Sequence, residues 1–142
     1  MPSRTLLVAA GEFDDLSAEL VAQAVAQGLR DGGWQTDGCA IDAPAGGKLR
    51  ALLDSLEFDS RMRDARALIV CQRCLHEDTL AGSVAFEIAT RARQSGVPAY
   101  AVTTENRLDS FDARVLDLQA IVQSGGSARS LRAAARKLAA LV

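Results

Sequence analysis

The stretch Ala65-Arg66-Ala67-Leu68-Ile69-Val70-Cys71 decides the fold. Within it Ala67 to Cys71 is an unbroken apolar run with β-branched residues, bounded by polar neighbours, as a strand buried on both faces requires. Thr5-Leu6-Leu7-Val8-Ala9-Ala10, closed by Gly11, has the same character. Burial on both faces calls for helices above and below the sheet, and so for parallel strands joined by helical crossovers. Between these two runs, residues 16–31 place Leu20, Val21, Ala24, Val25 and Leu29 on one helical face. Asp14, Asp15 or Ser17 can cap that helix, and Gly32-Gly33 end it. Residues 34–41 form a second, more polar strand, expected near a sheet edge.

The same alternation continues to the C-terminus. Residues 42–47 make a loop, and residues 48–56 and 58–64 two short helices. After Cys71 comes a polar stretch, 72–78, and then a helix over 79–95 with Leu80, Val84, Ile88 and Ala92 at steps of four. Gly96 stands at its C-cap. Residues 97–103 and 118–123 are the fourth and fifth strands, separated by a loop at 104–109 and a short helix at 110–116. Ser124-Gly125-Gly126-Ser127 turns into a last helix with Leu131, Ala134, Ala135, Leu138 and Leu141 inward. The expected architecture is one α/β domain over residues 1–142. It is a three-layer αβα arrangement around a five-stranded, mostly parallel, doubly wound sheet, Rossmann-like or flavodoxin-like. Strand orders 2-1-3-4-5 and 3-2-1-4-5 both satisfy the pattern.

Composition narrows the function. A net charge of −2 leaves no basic excess to neutralise phosphates, which argues against nucleic-acid binding. Aromatic residues are only 4% of the chain, so the core must be aliphatic. The apolar run after Met1-Pro2-Ser3-Arg4 is too short for a signal-peptide core, and no stretch approaches the roughly 18 apolar residues of a membrane span. A cytoplasmic location without membrane contact is expected. Three cysteines there read as thiols or ligands rather than as a disulfide framework.

In a doubly wound sheet, ligands bind beyond the carboxyl ends of the strands. Those ends deliver Glu12 and Asp14, Asp42, Gln72 and Arg73, Thr103 and Thr104, and Ser124, Gly125 and Gly126. Together they form the candidate small-molecule crevice. Glu12, Asp14 and Asp15 suit a hard cation, or simply the start of the following helix. Ser124-Gly125-Gly126-Ser127 suits a small anion, or a plain turn with Ser127 as N-cap. It lacks the lysine and spacing of a phosphate-binding loop. Cys71-Gln72-Arg73-Cys74-Leu75-His76 holds two of the three cysteines and the one histidine. Cys71, Cys74 and His76 could ligate zinc, with Glu77 and Asp78 close by. The two thiols could also cycle between dithiol and disulfide. Alternatively, Cys71 ends a buried strand, Cys74 fills a loop and His76 lies at the surface. Cys39, inside a strand, is expected in the core.

Residues 4–30, with Phe13, Leu16-Ser17-Ala18 and Val21-Ala22-Gln23-Ala24-Val25-Ala26-Gln27-Gly28-Leu29-Arg30, resemble the N-terminal segment of bacterial glycerate kinases. That segment is an apolar strand, then Pro-Asp-Ser-Phe-Lys-Gly, then Ser-Ala and a helix ending in Gly-Leu. From Leu56 onward, Phe58-Asp59-Ser60-Arg61-Met62, Asp64 to Val70, Leu75, Thr79-Leu80, Gly82 and Gly96-Val97-Pro98 follow the order of the family's C-terminal half. The resemblance implies a Rossmann-like domain that, in the family, carries a large inserted second domain and phosphorylates glycerate with ATP. Here only the loop and short helix between Asp42 and Leu56 stand in place of the insertion. The family's Gly-Glu-Gly-Arg-Leu-Asp falls on residues 71–76, where only Leu75 is kept. The lysine of its later Gly-Lys pair falls on Ser83, and its Phe-Lys-Gly becomes Phe13-Asp14-Asp15, one residue shorter.

The leading expectation is therefore a non-catalytic relative of glycerate kinase that binds a small molecule or regulates. A metal- or thiol-dependent enzyme using Cys71, Cys74 and His76 is the alternative, as is a kinase half completed by another chain. A homodimer is a further expectation, because loss of an inserted domain can uncover apolar surface.

Overall fold

The structure is a computed structural model that describes residues 4–13, 15–41, 48–76 and 84–142. The main-sheet strands are β1 (Thr5–Ala10), β2 (Gln35–Ala40), β3 (Ala67–Cys71), β5 (Ala99–Thr103) and β7 (Leu118–Gln123). They lie in the order β2-β1-β3-β5-β7, every neighbouring pair parallel. In terms of these five strands this is 2-1-3-4-5, the first of the two orders left open. Two further strands, β4 (Cys74–Leu75) and β6 (Glu105–Asn106), pair with each other beyond the main sheet. Both fall in segments expected to be irregular.

The helices are α1 (Ala18–Asp31), α2 (Lys48–Ser55), α3 (Phe58–Arg63), α4 (Val84–Gln94), α5 (Ser110–Leu116) and α6 (Ala128–Ala139). The expected first turn of α4, residues 79–83, lies outside the described residues. Of the three candidate caps for α1, Ser17 is the one used: its Oγ accepts from the Leu20 N–H at 3.3 Å. Ser127 caps α6 in the same way. Gly33 and Gly96 take positive φ, +95° and +71°, where the chain leaves α1 and α4.

Strand periodicity sorts the core into two layers. Leu6, Val8, Ala10, Ala67, Ile69 and Cys71 face Val21, Val25 and Leu29 of α1 and Leu131 and Leu138 of α6. Leu7, Ala9, Leu68 and Val70 face Leu53 of α2, Phe58 and Met62 of α3, and Ile88 of α4. Fully buried side chains of this size stabilise by about 1.5–3 kcal/mol each. Phe58 and Met62 therefore anchor a helix too short to be stable alone. Arg91 ties the same layer together. Its guanidinium donates to Asp59 at 3.0 Å, to Asp54 at 3.3 Å and to Glu87 at 3.3 Å.

Two residues expected inward face solvent. Leu20 is 49% exposed and Leu141 is 53% exposed. The buried stripe of α1 runs Ala18, Val21, Ala22, Val25, Ala26, Leu29. Leu20 sits one residue, about 100°, off that stripe. Leu141 lies beyond the end of α6, so helical spacing no longer governs it.

α1 and α6 run side by side in the same direction at very close range. A Cβ on Gly28 would stand 2.2 Å from the Arg132 carbonyl oxygen, and one on Gly32 would stand 2.4 Å from Ala139 Cβ. Gly28→Ala is expected to destabilise by about 1–3 kcal/mol through overpacking. Gly38→Ala, whose Cβ would lie 4.0 Å from its nearest neighbour, should stay within about 0.5 kcal/mol of wild type. Urea unfolding of the two variants checks this pair.

Candidate functional site

β2 and β3 flank β1 on opposite sides, so the strand order reverses there and the carboxyl ends of β1 and β3 form the switch point of the sheet. At the end of β1, the Gly11 N–H donates to the Cys71 carbonyl at 3.0 Å and extends the ladder one residue. Glu12 then projects into solvent. Phe13 turns back into the core, 1% exposed, and exchanges backbone hydrogen bonds with Leu16 at 2.9 and 2.6 Å. Asp14 and Asp42 lie outside the described residues, as do Glu77 and Asp78.

At the end of β3, Cys71 faces the α1–α6 layer with no exposure, and burial pushes its thiol up to about 12. The half-buried Gln72 donates its N–H to the Val102 carbonyl at 3.1 Å. The chain then swings out to form β4.

The backbone carbonyl of Arg73 is where the strand ends meet. It accepts from the Thr104 hydroxyl at 2.6 Å and the Thr103 hydroxyl at 3.1 Å. The N–H groups of Thr104 and Glu105 also point at it, each at 3.1 Å. Thr103 has no exposure and is the buried polar side chain among the described residues. Its Oγ also accepts from the Glu105 N–H at 3.3 Å. β4 and β6 then pair, Cys74 opposite Glu105 and Leu75 opposite Asn106, and the Arg107 N–H donates to the Leu75 carbonyl at 2.8 Å. The Arg107 side chain folds onto Glu105 as an ion pair.

The last strand joins from the other side. The Ser124 N–H donates to the Thr103 carbonyl at 2.8 Å, and Gln123 Nε2 donates to the Thr104 carbonyl at 3.2 Å. Gly125 lies against the first turn of α6, where a Cβ would come 2.9 Å from Ser130 Oγ. Close packing therefore accounts for this glycine. Gly126 faces the Thr104 methyl, 3.9 Å from where its Cβ would be.

The structure thus brings Gln72, Arg73, Thr103, Thr104, Ser124, Gly125 and Gly126 together at the ends of three adjacent strands. Glu12 stands apart at the end of β1. Cys71, Cys74 and His76 are not assembled as a ligand set. Among the described residues, no group of three His, Cys, Asp or Glu side chains is placed to hold a metal ion. The physical reason is strand periodicity: it turns Cys71 into the core, while Cys74 belongs to a separate strand and His76 follows it. Cys39 is buried as expected, 3% exposed, and burial raises its thiol as well. The linking role of Thr103 and the β4–β6 pair went unread in the sequence. Two-residue strands carry no period, although Thr-Thr closing an apolar run is a sign of hydroxyls that need partners.

The profile of the glycerate kinase family matches residues 38–142, most of the chain. The chain belongs to the glycerate kinase family. The likeness noted from Leu56 onward lies inside the matched region, whereas that in residues 4–30 precedes it. No curated protein matches. Among solved structures, a protein described as pilus assembly-related from Burkholderia pseudomallei superposes with a TM-score of 0.53 at 18% identity. That match covers 96% of this chain and 89% of the other, and it supports the fold alone. A protein described as glycerate kinase 2 from Salmonella typhimurium gives a TM-score of 0.47 at 18% identity over 77% of this chain. This member of the glycerate kinase family spans only 28% of that longer chain.

Burial sets the three thiols apart, with Cys39 and Cys71 buried and Cys74 half-buried. A buried, protonated thiol is a poor nucleophile. A short pulse of iodoacetamide at about pH 8 is expected to label the half-buried Cys74 first. Cys71 and Cys39 should label only after denaturation. Peptide mass spectrometry reads the order, and rapid labelling of Cys71 in the native protein would contradict its burial.

Proposed function

We propose that this member of the glycerate kinase family no longer transfers phosphate and acts as a small-molecule-binding or regulatory module. The observation that carries this reading is the state of the strand ends. Phosphoryl transfer depends on cations and hydrogen-bond donors held ready for phosphate oxygens. Here the Thr103 and Thr104 hydroxyls donate to the Arg73 carbonyl, and the Arg107 guanidinium is paired with Glu105. At the position of the first glycine of the family's Gly-Glu-Gly-Arg-Leu-Asp stands Cys71, a core residue. A small polar ligand is the occupant proposed for the crevice, met by Glu12, Gln72, Arg73, Ser124 and the Gly125-Gly126 backbone, with Asp14 and Asp42 assigned from sequence position.

The metal or thiol reading has less support, since Cys71 holds its proton and lies away from solvent. Dimerisation through an uncovered apolar face also has little behind it. Among the described residues, the exposed large apolar side chains are Leu20, Phe111 and Leu141. Leu20 and Leu141 sit at opposite ends of the parallel α1–α6 pair, and Phe111 is on α5. No helix among the described residues is long and apolar enough to cross a membrane. A cytoplasmic location remains part of the proposal.

Incubation of the purified chain with ATP and D-glycerate tests the reading. No phosphoglycerate above an enzyme-free blank is expected. Product that scales with protein and disappears in Gln72→Ala would overturn it.

A further inference from the structure

The two edges of the sheet are protected differently. At β7, the pairing with β5 shifts register between Ala99 and Ala101, and such an irregularity discourages an added strand. β2 has no such break: six consecutive residues pair with β1 in register. Its ladder with β1 begins with the Gln35 N–H on the Arg4 carbonyl at 3.0 Å and ends with the Ile41 N–H on the Ala10 carbonyl at 2.8 Å. Alternation then points the backbone N–H and C=O groups of Thr36, Gly38 and Ala40 away from the sheet.

Among the described residues, two guanidinium groups reach this edge. Arg30 of α1 donates to the Thr36 side-chain oxygen at 3.0 Å. Arg61 of α3 donates through Nη2 to the Gly38 carbonyl at 2.9 Å. The same guanidinium grips Asp37 through two bonds, Nη2 to Oδ1 at 2.7 Å and Nε to Oδ2 at 2.9 Å. Beside the edge, an open groove of about 280 Å³ runs between α1 and β2, floored by Ala22, Ala26, Gly38 and Ala40. Among the described residues, the edge is therefore regular and small in side chain, and Arg61 is the side chain that takes one of its outward backbone groups.

We propose that β2 is a latent self-pairing surface, and that Arg61, held by Asp37, keeps it closed against β2 of a second copy. A second copy is the matching occupant because an antiparallel β2 presents the same alternating donors and acceptors about a two-fold axis beside Gly38. The small residues Thr36, Gly38 and Ala40 let the two backbones approach. Arg61 opposes this in two ways. It occupies the central acceptor, and two-fold pairing would bring two guanidinium groups together. A charged side chain laid on an edge strand is a known means of preventing such pairing. This inference rests on the sheet and not on the ligand reading above.

The test compares wild type, Arg61→Ala, Arg61→Met and Arg61→Ala with Gly38→Pro. Light scattering after size exclusion at tens of micromolar reports mass, and amide exchange reports the edge. Wild type should be monomeric, with the Thr36, Gly38 and Ala40 amides exchanging freely. Arg61→Ala should double in mass, with those amides slowed by an order of magnitude or more. Arg61→Met keeps the aliphatic stem and should behave alike even where the alanine variant folds poorly. Proline at 38 removes an outward donor without touching the β1 ladder and should restore the monomer. Wild type already paired through β2, or folded Arg61 variants that stay monomeric with unchanged β2 exchange, would overturn the proposal.

Discussion

β3 lies between β1 and β5 with all five of its residues buried, and a parallel strand in that position must be covered from both sides. Much of the molecule is a response to that demand. α1 and α6 cover one face and α2, α3 and α4 the other. The demand also reaches the end of the strand. Cys71 is the last buried residue, so the chain must leave the sheet at once, and each backbone group it exposes there needs a partner. The Arg73 carbonyl finds several, from Thr103 at the end of β5 and from Thr104 and Glu105 just beyond it.

That junction has a functional consequence. The carboxyl edge of a doubly wound sheet usually offers its polar groups to a ligand. In this chain many of them hold neighbouring connections instead. Thr103 and Thr104 bind the β3 turn, Gln123 and Ser124 bind the β5 turn, and Glu105 binds Arg107. A ligand meeting this surface finds a scaffold already satisfied internally. The Gln72 side chain and the Gly126 backbone remain beside it, with Glu12 apart at the end of β1.

Much of this was legible in the residues. Apolar runs such as Ala67–Cys71 and the helical stripe ending at Leu29 mark elements whose burial admits few alternatives. The α5 and β7 bounds expected at 110–116 and 118–123 are those found, and the structure adds that Asp109 caps α5 by accepting from the Asp112 N–H. The misses share a cause. Leu20 and Leu141 are large apolar residues beside or beyond a buried stripe, and hydrophobicity alone does not place them. β4 and β6 are too short for any period and depend on contacts between segments about 30 residues apart. The Cys-x-x-Cys-x-His spacing left a ligand set, a redox pair and a plain buried strand end all open, because spacing is local. Which way Cys71 points is set by the strand it belongs to.

The junction at Arg73 can be examined directly by amide hydrogen exchange in wild type and Thr103→Val. Closure of the strand ends predicts slow exchange at Thr104, Glu105 and Ser124 in wild type. In the valine variant, protection should be lost at Glu105 and across the β4–β6 pair, while β1 and β3 stay protected. Exchange at Thr104, Glu105 and Ser124 as fast as in an unstructured peptide, already in wild type, would contradict it.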